Sequence, residues 1–206
     1  MKPYSNDAIN KIYDLLFCDD LDLYKETSPT SYPWDVLFAE SPANADLQKI
    51  IDDPGLETRV KRLAANLLLK HGVSTDQRRI FGVIIEVGLD EGLDVLAAYE
   101  DGSARYINHS EKLIVWDATT DESNRLIADL FASARTVVDR IGPWDGTRRP
   151  PPTTSNIRLT FLVSNGLYFG EGPFDVLAQD PMAGPVINHA TELMNFLVST
   201  TLDQSL

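Results

Sequence analysis

The sequence predicts an α+β fold: a mostly antiparallel sheet of five to seven strands, packed by two long helices, with an N-terminal helical arm. Residues Ile80 to Asp117 alternate apolar and polar side chains and are broken by tight turns, which is typical of antiparallel strands. Asn165-Gly166 is a second strong hairpin signal further along the chain. A long amphipathic helix follows each group of strands, and such segregated runs of strands and helices favour the α+β class.

The arm is predicted over residues 1–75, packed on a sheet domain over residues 76–206, the two together forming one structural unit. Ser5 is positioned to cap a helix that reaches Phe17, because its hydroxyl can accept from the first free amides. An irregular acidic and aromatic segment with three prolines follows over residues 19–42. Two further helices are predicted, one over residues 44–52 and one that begins at Pro54 and ends at His71-Gly72.

The first group of strands reads as a four-stranded meander. Residues 80–87 are apolar on both faces, which predicts a central strand. Asp101-Gly102 offers a turn between strands at 93–99 and 104–108, because both positions tolerate positive φ. A short connection leads to a fourth strand at 112–116.

The second half of the sheet domain begins with a helix. Thr119 and Glu122 form a capping-box pattern in front of an apolar stripe that ends at Ile141. Residues 143–156 contain three consecutive prolines and are predicted to be a stiff, exposed connector. The strands and helix expected after it are 157–164, 167–170, a short extended piece at 174–178, and a helix at 185–200.

The order of elements from Ile80 onward resembles that of longin-like and roadblock-like modules, which bind other proteins. The resemblance implies a function in recognition by contact. It covers element order alone, since no residue motif accompanies it.

The composition of the chain restricts the kinds of partner it is expected to bind and the compartment in which it is expected to occur. The 206-residue chain has a formal net charge of −13, which disfavours nucleic acid and anionic membrane surfaces, since both require clustered Lys and Arg. No apolar run approaches the ~20 residues of a membrane-spanning helix. The single cysteine, Cys18, rules out an internal disulfide framework, and the N-terminus lacks the apolar stretch of a secretory signal. A cytoplasmic protein is expected.

The candidates for catalysis are His109, Glu171 and Asp175. His109 lies in a predicted strand connection, and a working histidine needs a second group to orient it. Glu171 lies between two glycines at a predicted sheet edge, near Asp175. The alternative function is therefore a small enzyme, such as a hydrolase, with its site at that edge. No metal site or cofactor is expected, because the metal-ligand supply is thin and the Gly170–Gly172 loop lacks a lysine.

The leading hypothesis is a cytosolic, non-catalytic protein-interaction module: an adaptor, a regulator, or an acidic neutraliser of a basic effector. Trp34 and Trp144 lie on proline-bearing loops, where large rings anchor a loop or serve as interface hot spots. Asp90, Glu91 and Asp94 form an acidic cluster at a strand connection, suited to a basic partner. The expected partner is another protein, and a homo-oligomer also fits the sequence.

Overall fold

A six-stranded antiparallel sheet forms the middle layer of the chain, with helices on both of its faces. The computed structural model describes residues 2–26, 28–73 and 78–203, so the predicted boundary between residues 75 and 76 lies outside the described residues. The strands are β1 Ile80–Leu89, β2 Gly92–Tyr99, β3 Ala104–Ile107, β4 Leu113–Trp116, β5 Asn156–Val163 and β6 Gly166–Pro173. The predicted α+β class and strand number are confirmed.

The helices lie before the sheet, in its crossover and after its last strand. They are α1 Asp7–Leu15, α2 Trp34–Leu37, α3 Asn44–Asp52, α4 Thr58–Lys70, α5 Asp121–Val138, α6 Phe174–Ala178 and α7 Ala183–Asp203, with a short 3-10 helix at Leu21–Tyr24. None of the helices in the described part of the chain has both the length and the apolar composition needed to cross a membrane.

The strand order is β4-β3-β2-β1-β5-β6, and every pairing is antiparallel. The first four strands are the predicted meander. β1 lies between β2 and β5, so that Ile84 pairs with Ala97 on one side and Thr160 on the other. The predicted central position of this strand is confirmed, and its side chains alternate between two separate cores.

One face of the sheet is covered by α5 and α7, which pack against each other and against alternate strand residues such as Val83 and Ile85. The opposite face carries Phe81 and Ile84, which belong to a second hydrophobic cluster together with arm residues such as Phe17 and Leu63. The arm therefore shares a core with the sheet, and Phe17, Phe81 and Ile84 in that core are fully buried.

Two helices begin later than expected, because other groups satisfy their first amides. The N-cap of α1 is Asn6, whose side chain accepts from the Ala8 amide, while Ser5 instead donates to the carboxylate of Glu111. α4 begins at Thr58, not at Pro54, and the Thr58 amide is bound by the Asp101 carboxylate at 2.7 Å. The start of α4 therefore depends on a partner 43 residues away, which sequence spacing does not show.

The structure also differs from the predicted elements at the start of α5, at residues 174–178 and at the turn of the last hairpin. The capping box of α5 is formed by Thr120 and Ser123, one residue later than the predicted pair. The expected extended piece at 174–178 is a helix: Pro173 ends β6, the Phe174 amide bonds to Ser155, and the next residues close a helical turn. The two-residue turn of the last hairpin is residues 164–165, and Gly166 is the first residue of β6.

The connector over residues 143–155 is not a free spacer. The Ser155 amide donates to the Gly88 carbonyl at 2.9 Å, and the Arg158 side chain donates to the carbonyl oxygens of Arg149 and Pro150. Pro152 is buried. The connector is thus fixed along the sheet, and it forms one wall of the site described next.

Candidate functional site: a groove between the arm and the connector

A groove of about 670 Å³ lies where the arm, the connector and the β5–β6 hairpin meet. We name it the connector groove. The arm contributes Asp14, Asp19 and Asp20 to one side and a face of α4 to the floor, while the connector contributes Trp144 and residues 146–151. Leu167 of the hairpin closes the remaining side.

The polar floor of the groove follows from the helical repeat of α4. Arg62, Asn66 and Lys70 are four residues apart and therefore share one helix face. The Asn66 side-chain amide donates to the carbonyl oxygen of Cys18 at 2.5 Å, which fixes the loop that follows α1. One helix thereby positions both a stripe of donors and the acidic loop that faces it.

Arg148 fastens the connector to the arm. Its guanidinium donates to Asp14 at 2.7 Å and to Asp19 at 2.9 Å, and it lies over the Phe17 ring at 4.1 Å from the centroid. Burial acts to lower the pKa of Arg148, but the two carboxylates outweigh it and raise that pKa above its ordinary value. This contact holds the two walls of the groove at a fixed separation.

The indole of Trp144 stands at the rim of the groove. Its side chain is 42% exposed, yet the ring is held in place: the indole N–H donates to the Thr147 carbonyl at 3.0 Å, and the ring packs edge-on against Phe169 at 5.2 Å. The Trp144 amide also bonds to the carbonyl of Leu167. A large, fixed and partly exposed aromatic ring contributes contact area at a low entropy cost.

Arg62 lies at the floor and is only 4% exposed. It donates to two backbone carbonyls, those of Val163 and Gly166, while its Nε–H has no hydrogen-bond partner among the described residues. Burial lowers the pKa of Arg62 to about 10. The arm therefore holds a desolvated cation at the bottom of the groove without a carboxylate bound to it in the described structure.

A ladder of charges crosses three strands and is bonded to the connector through Arg158. Arg158 of β5 contacts the fully buried Glu86 of β1 at 3.4 Å and Glu171 of β6 at 2.8 Å. The hydroxyl of Tyr13 in α1 donates to Glu86 at 2.6 Å. Burial raises the pKa of Glu86, although Tyr13 and Arg158 act in the opposite direction. Glu171, a candidate for catalysis, is thus bound to an arginine within this ladder.

His109 lies in a different cluster, at the β3–β4 connection. Asp94 accepts from the His109 amide at 2.6 Å, from its ring Nδ1 at 3.1 Å and from the Tyr106 hydroxyl at 2.8 Å. Asp94 and Tyr106 also line a cavity of about 260 Å³ between the sheet and α7, and most of its other lining residues are apolar. His109 Nε2 lies 3.6 Å from Glu91.

The structure does not bring the candidates for catalysis together. His109 is bound to β2, whereas Glu171 is bound to β5, and β1 lies between these two strands. Asp175 is exposed in the first turn of α6. The proposed enzyme site at the sheet edge is therefore not assembled from these three residues.

The candidate partner-binding residues lie in three places. Trp144 is in the connector groove, and Trp34 is half-buried, stacked on Tyr24 at 5.7 Å and on Phe38 at 5.6 Å. Asp90 and Glu91 are exposed in the β1–β2 turn, next to Asp94. Of these residues, Trp144 alone lines the connector groove.

Sequence reasoning missed Arg62, Glu86 and Arg158, the charged side chains that organise this region. The signal available was a charge at a position that the apolar pattern assigns to the core: Glu86 follows Ile84 and Ile85 in a strand read as wholly apolar. A charge at such a position needs a partner, and in these strands the register supplies it.

Comparison with known proteins finds no matching family model, no matching curated protein and no matching solved structure. Among residues 2–26, 28–73 and 78–203, no group of three or more His, Cys, Asp or Glu side chains is arranged to hold a metal ion.

Proposed function

We propose that this protein is a non-catalytic interaction module that binds a partner polypeptide through the connector groove. One observation carries the proposal: a fixed, exposed indole, Trp144, stands at the rim of a groove whose floor holds the buried guanidinium of Arg62. Tryptophan and arginine are the residues most enriched at the energetic centres of protein interfaces. The groove is also rigid before binding, since Arg148 joins its two walls.

The charges of the groove favour a protein as the occupant. Carboxylates of Asp14, Asp19 and Asp20 share the groove with the cations Arg62 and Lys70. A polypeptide carries both signs of charge and can match such a surface, whereas a nucleic-acid backbone presents only negative charge to a chain of net charge −13. The proposed roles are those of an adaptor, a regulator or a neutraliser of a basic effector, acting in the cytoplasm.

Site-specific photo-crosslinking tests this function. A photoreactive phenylalanine analogue replaces Trp144 in one variant and Val115 in a control variant. Val115 is 53% exposed and belongs to β4, at the edge of the sheet opposite β6. We expect a discrete protein adduct from position 144 and not from position 115. The adduct is then identified by mass spectrometry, and a second copy of this chain is one of the identities it can take.

Binding of the identified partner provides the second half of the test. We expect Trp144→Ala to weaken binding at least about tenfold, a typical loss of roughly 1.4 kcal/mol or more at an interface hot spot, and Val115→Ala to leave it unchanged. Equal adducts from both positions would show that the connector groove is not the binding surface. So would a partner that binds Trp144→Ala as tightly as the wild type.

A further inference from the structure

We infer that Arg62 is an anion subsite at the floor of the connector groove, and that it binds a carboxylate of the partner polypeptide. This inference rests on the proposed function, because it names the chemical group that the groove receives. Three observations support it: the partly used edge of the guanidinium, the absence of an ion pair to Arg62 among the described residues, and the acidic neighbours in the groove. Each of these observations is independent of the exposed Trp144 at the rim.

The guanidinium of Arg62 has one edge, formed by Nε and Nη2, whose hydrogen-bonding capacity is only partly used. Its Nη1 donates to the Val163 carbonyl at 2.5 Å, and its Nη2 makes a long contact of 3.4 Å with the Gly166 carbonyl. Its Nε–H has no acceptor in the described part of the chain. The Nε and Nη2 donors point the same way along one edge of the group, which is the edge that accepts a carboxylate in two parallel hydrogen bonds.

The other two buried arginines show what Arg62 lacks. Arg105 is 2.7 Å from the carboxylate of Asp117, and Arg158 contacts both Glu86 and Glu171. Within residues 2–26, 28–73 and 78–203, no carboxylate forms an ion pair with Arg62, because the nearby Asp19, which acts to raise the pKa of Arg62, is bound to Arg148 instead. A buried charge without a counter-charge destabilises the folded chain. Natural proteins retain such a local cost chiefly at functional sites, and a ligand carboxylate would supply the missing charge.

The acidic residues of the groove select a carboxylate over a phosphate. Asp14, Asp19 and Asp20 line the same groove, and Asp14 and Asp19 are bound to Arg148. Lys70, at the end of α4, is the other cation on the floor. A singly charged, planar carboxylate matches the guanidinium edge, whereas a phosphate brings more negative charge towards three aspartates.

Binding requires a small movement of Arg62, because its Nε is covered in the unliganded chain. The weak contact to the Gly166 carbonyl is the bond that this movement would exchange, while the bond to Val163 can remain. The hydrogen bond of Nε–H to a carboxylate would then be new, and the Nε–H resonance reports it directly.

The test is an NMR titration of the unmodified protein, in which the Arg62 Nε–Hε signal is assigned through its own side chain. Sodium acetate is added against sodium chloride at constant ionic strength. We expect a saturable downfield shift of the Arg62 signal, larger than that of Arg149, which is 53% exposed at the rim. Sodium phosphate in a parallel titration should give a smaller shift. An Arg62 signal that does not move with acetate, or that moves more with phosphate, overturns the inference.

Two lysine variants provide a matched comparison. Arg62→Lys keeps the charge but removes the planar edge, so the acetate-induced shifts of the Asn66 and Lys70 amides should fall about fivefold or more. Arg149→Lys makes the same chemical change at the rim and should leave those shifts unchanged. Equal shifts in all three proteins would place acetate elsewhere and contradict the inference.

The titration and the crosslinking experiment fail independently. Acetate bound at Arg62 without a partner adduct at position 144 would support the anion subsite and remove the proposed function. An adduct and a Trp144-dependent partner, with an Arg62 signal that ignores acetate, would support the function and remove the anion subsite.

Discussion

The hydroxyl of Tyr13 in the N-terminal arm donates a 2.6 Å hydrogen bond to the fully buried carboxylate of Glu86 in the central strand of the sheet. Glu86 is joined in turn to Arg158, whose side chain also donates to the carbonyl oxygens of the connector. The walls of the connector groove are therefore tied to one buried polar network. The stability of that network and the shape of the groove depend on the same contacts.

The hydrogen bond between Tyr13 and Glu86 can be removed by deleting a single oxygen atom, the Tyr13 hydroxyl. Tyr13→Phe leaves the buried Glu86 carboxylate with a single contact at 3.4 Å, so we expect the free energy of unfolding to fall by about 1–3 kcal/mol. Urea denaturation followed by circular dichroism measures this change. Tyr32→Phe is the control, because the Tyr32 hydroxyl makes an exposed bond to Asp53 and its loss should be nearly neutral. Equal effects of the two substitutions would contradict the account.

The pH dependence of stability should carry the signature of Glu86. Burial raises its pKa above the ordinary value of 4.5, so the folded chain holds this proton more tightly than the unfolded chain. The contribution of Glu86 to the free energy of unfolding therefore falls as the pH rises from 4.5 to the raised pKa. We expect the stability of the wild type relative to Glu86→Gln to decline across that window in urea titrations at a series of pH values.

Glu122 provides the comparison, because its pKa is shifted in the opposite direction to that of Glu86. Its hydrogen bond with Arg125 lowers the pKa of this exposed carboxyl, so the stability of the wild type relative to Glu122→Gln should not decline as the pH rises. If the Glu86 and Glu122 series have the same slope, the raised pKa of Glu86 is wrong.

Removing Arg158 should be far more damaging than removing an exposed arginine. Arg158→Met leaves Glu86 buried without its cation, so we expect a loss of about 3–5 kcal/mol in the free energy of unfolding. Arg125→Met deletes ion pairs with Glu122 and Asp129 on the solvent side of α5 and should leave the free energy of unfolding almost unchanged. Both values come from chemical denaturation, and a loss below 1 kcal/mol for Arg158→Met would show that the ladder is not a structural element.

The connector approaches the central strand so closely at Gly88 that no side chain fits. A Cβ atom at Gly88 would lie 2.3 Å from the carbonyl oxygen of Thr153, so Gly88→Ala must displace the connector and should destabilise the protein by about 1–3 kcal/mol. Gly170 of β6 has open space in the same position, and Gly170→Ala should change the free energy of unfolding by less than about 0.5 kcal/mol. Thermal unfolding of the two variants separates them, and equal melting temperatures would argue against the described path of the connector.

Short apolar or alternating segments separated by tight turns were sufficient to predict the sheet, and the apolar character of both faces of β1 predicted its central position. This pattern failed where a charge is hidden in an apolar run. Glu86 and Arg158 become a pair only through the register of β1 and β5, and that register depends on strands 72 residues apart in the chain. A single sequence does not show which buried charges form an ion pair.

The parts of the groove were visible separately in the sequence. Trp144, the Arg148-Arg149 pair and the acidic residues at 19–20 could each be identified as unusual. They come together in the groove because Arg148 binds Asp14, 134 residues away in the chain. This contact holds the connector against the arm. Periodicity and turn signals act over short distances and hold no information on that path.

Chemical-shift mapping with the partner obtained from position 144 tests the central claim most directly. The account predicts that the backbone amides that shift on binding are those around Trp144, Arg148 and the Arg62–Lys70 face of α4. Shifts concentrated instead on the β1–β2 turn at Asp90 and Glu91, with the connector groove unchanged, would contradict it.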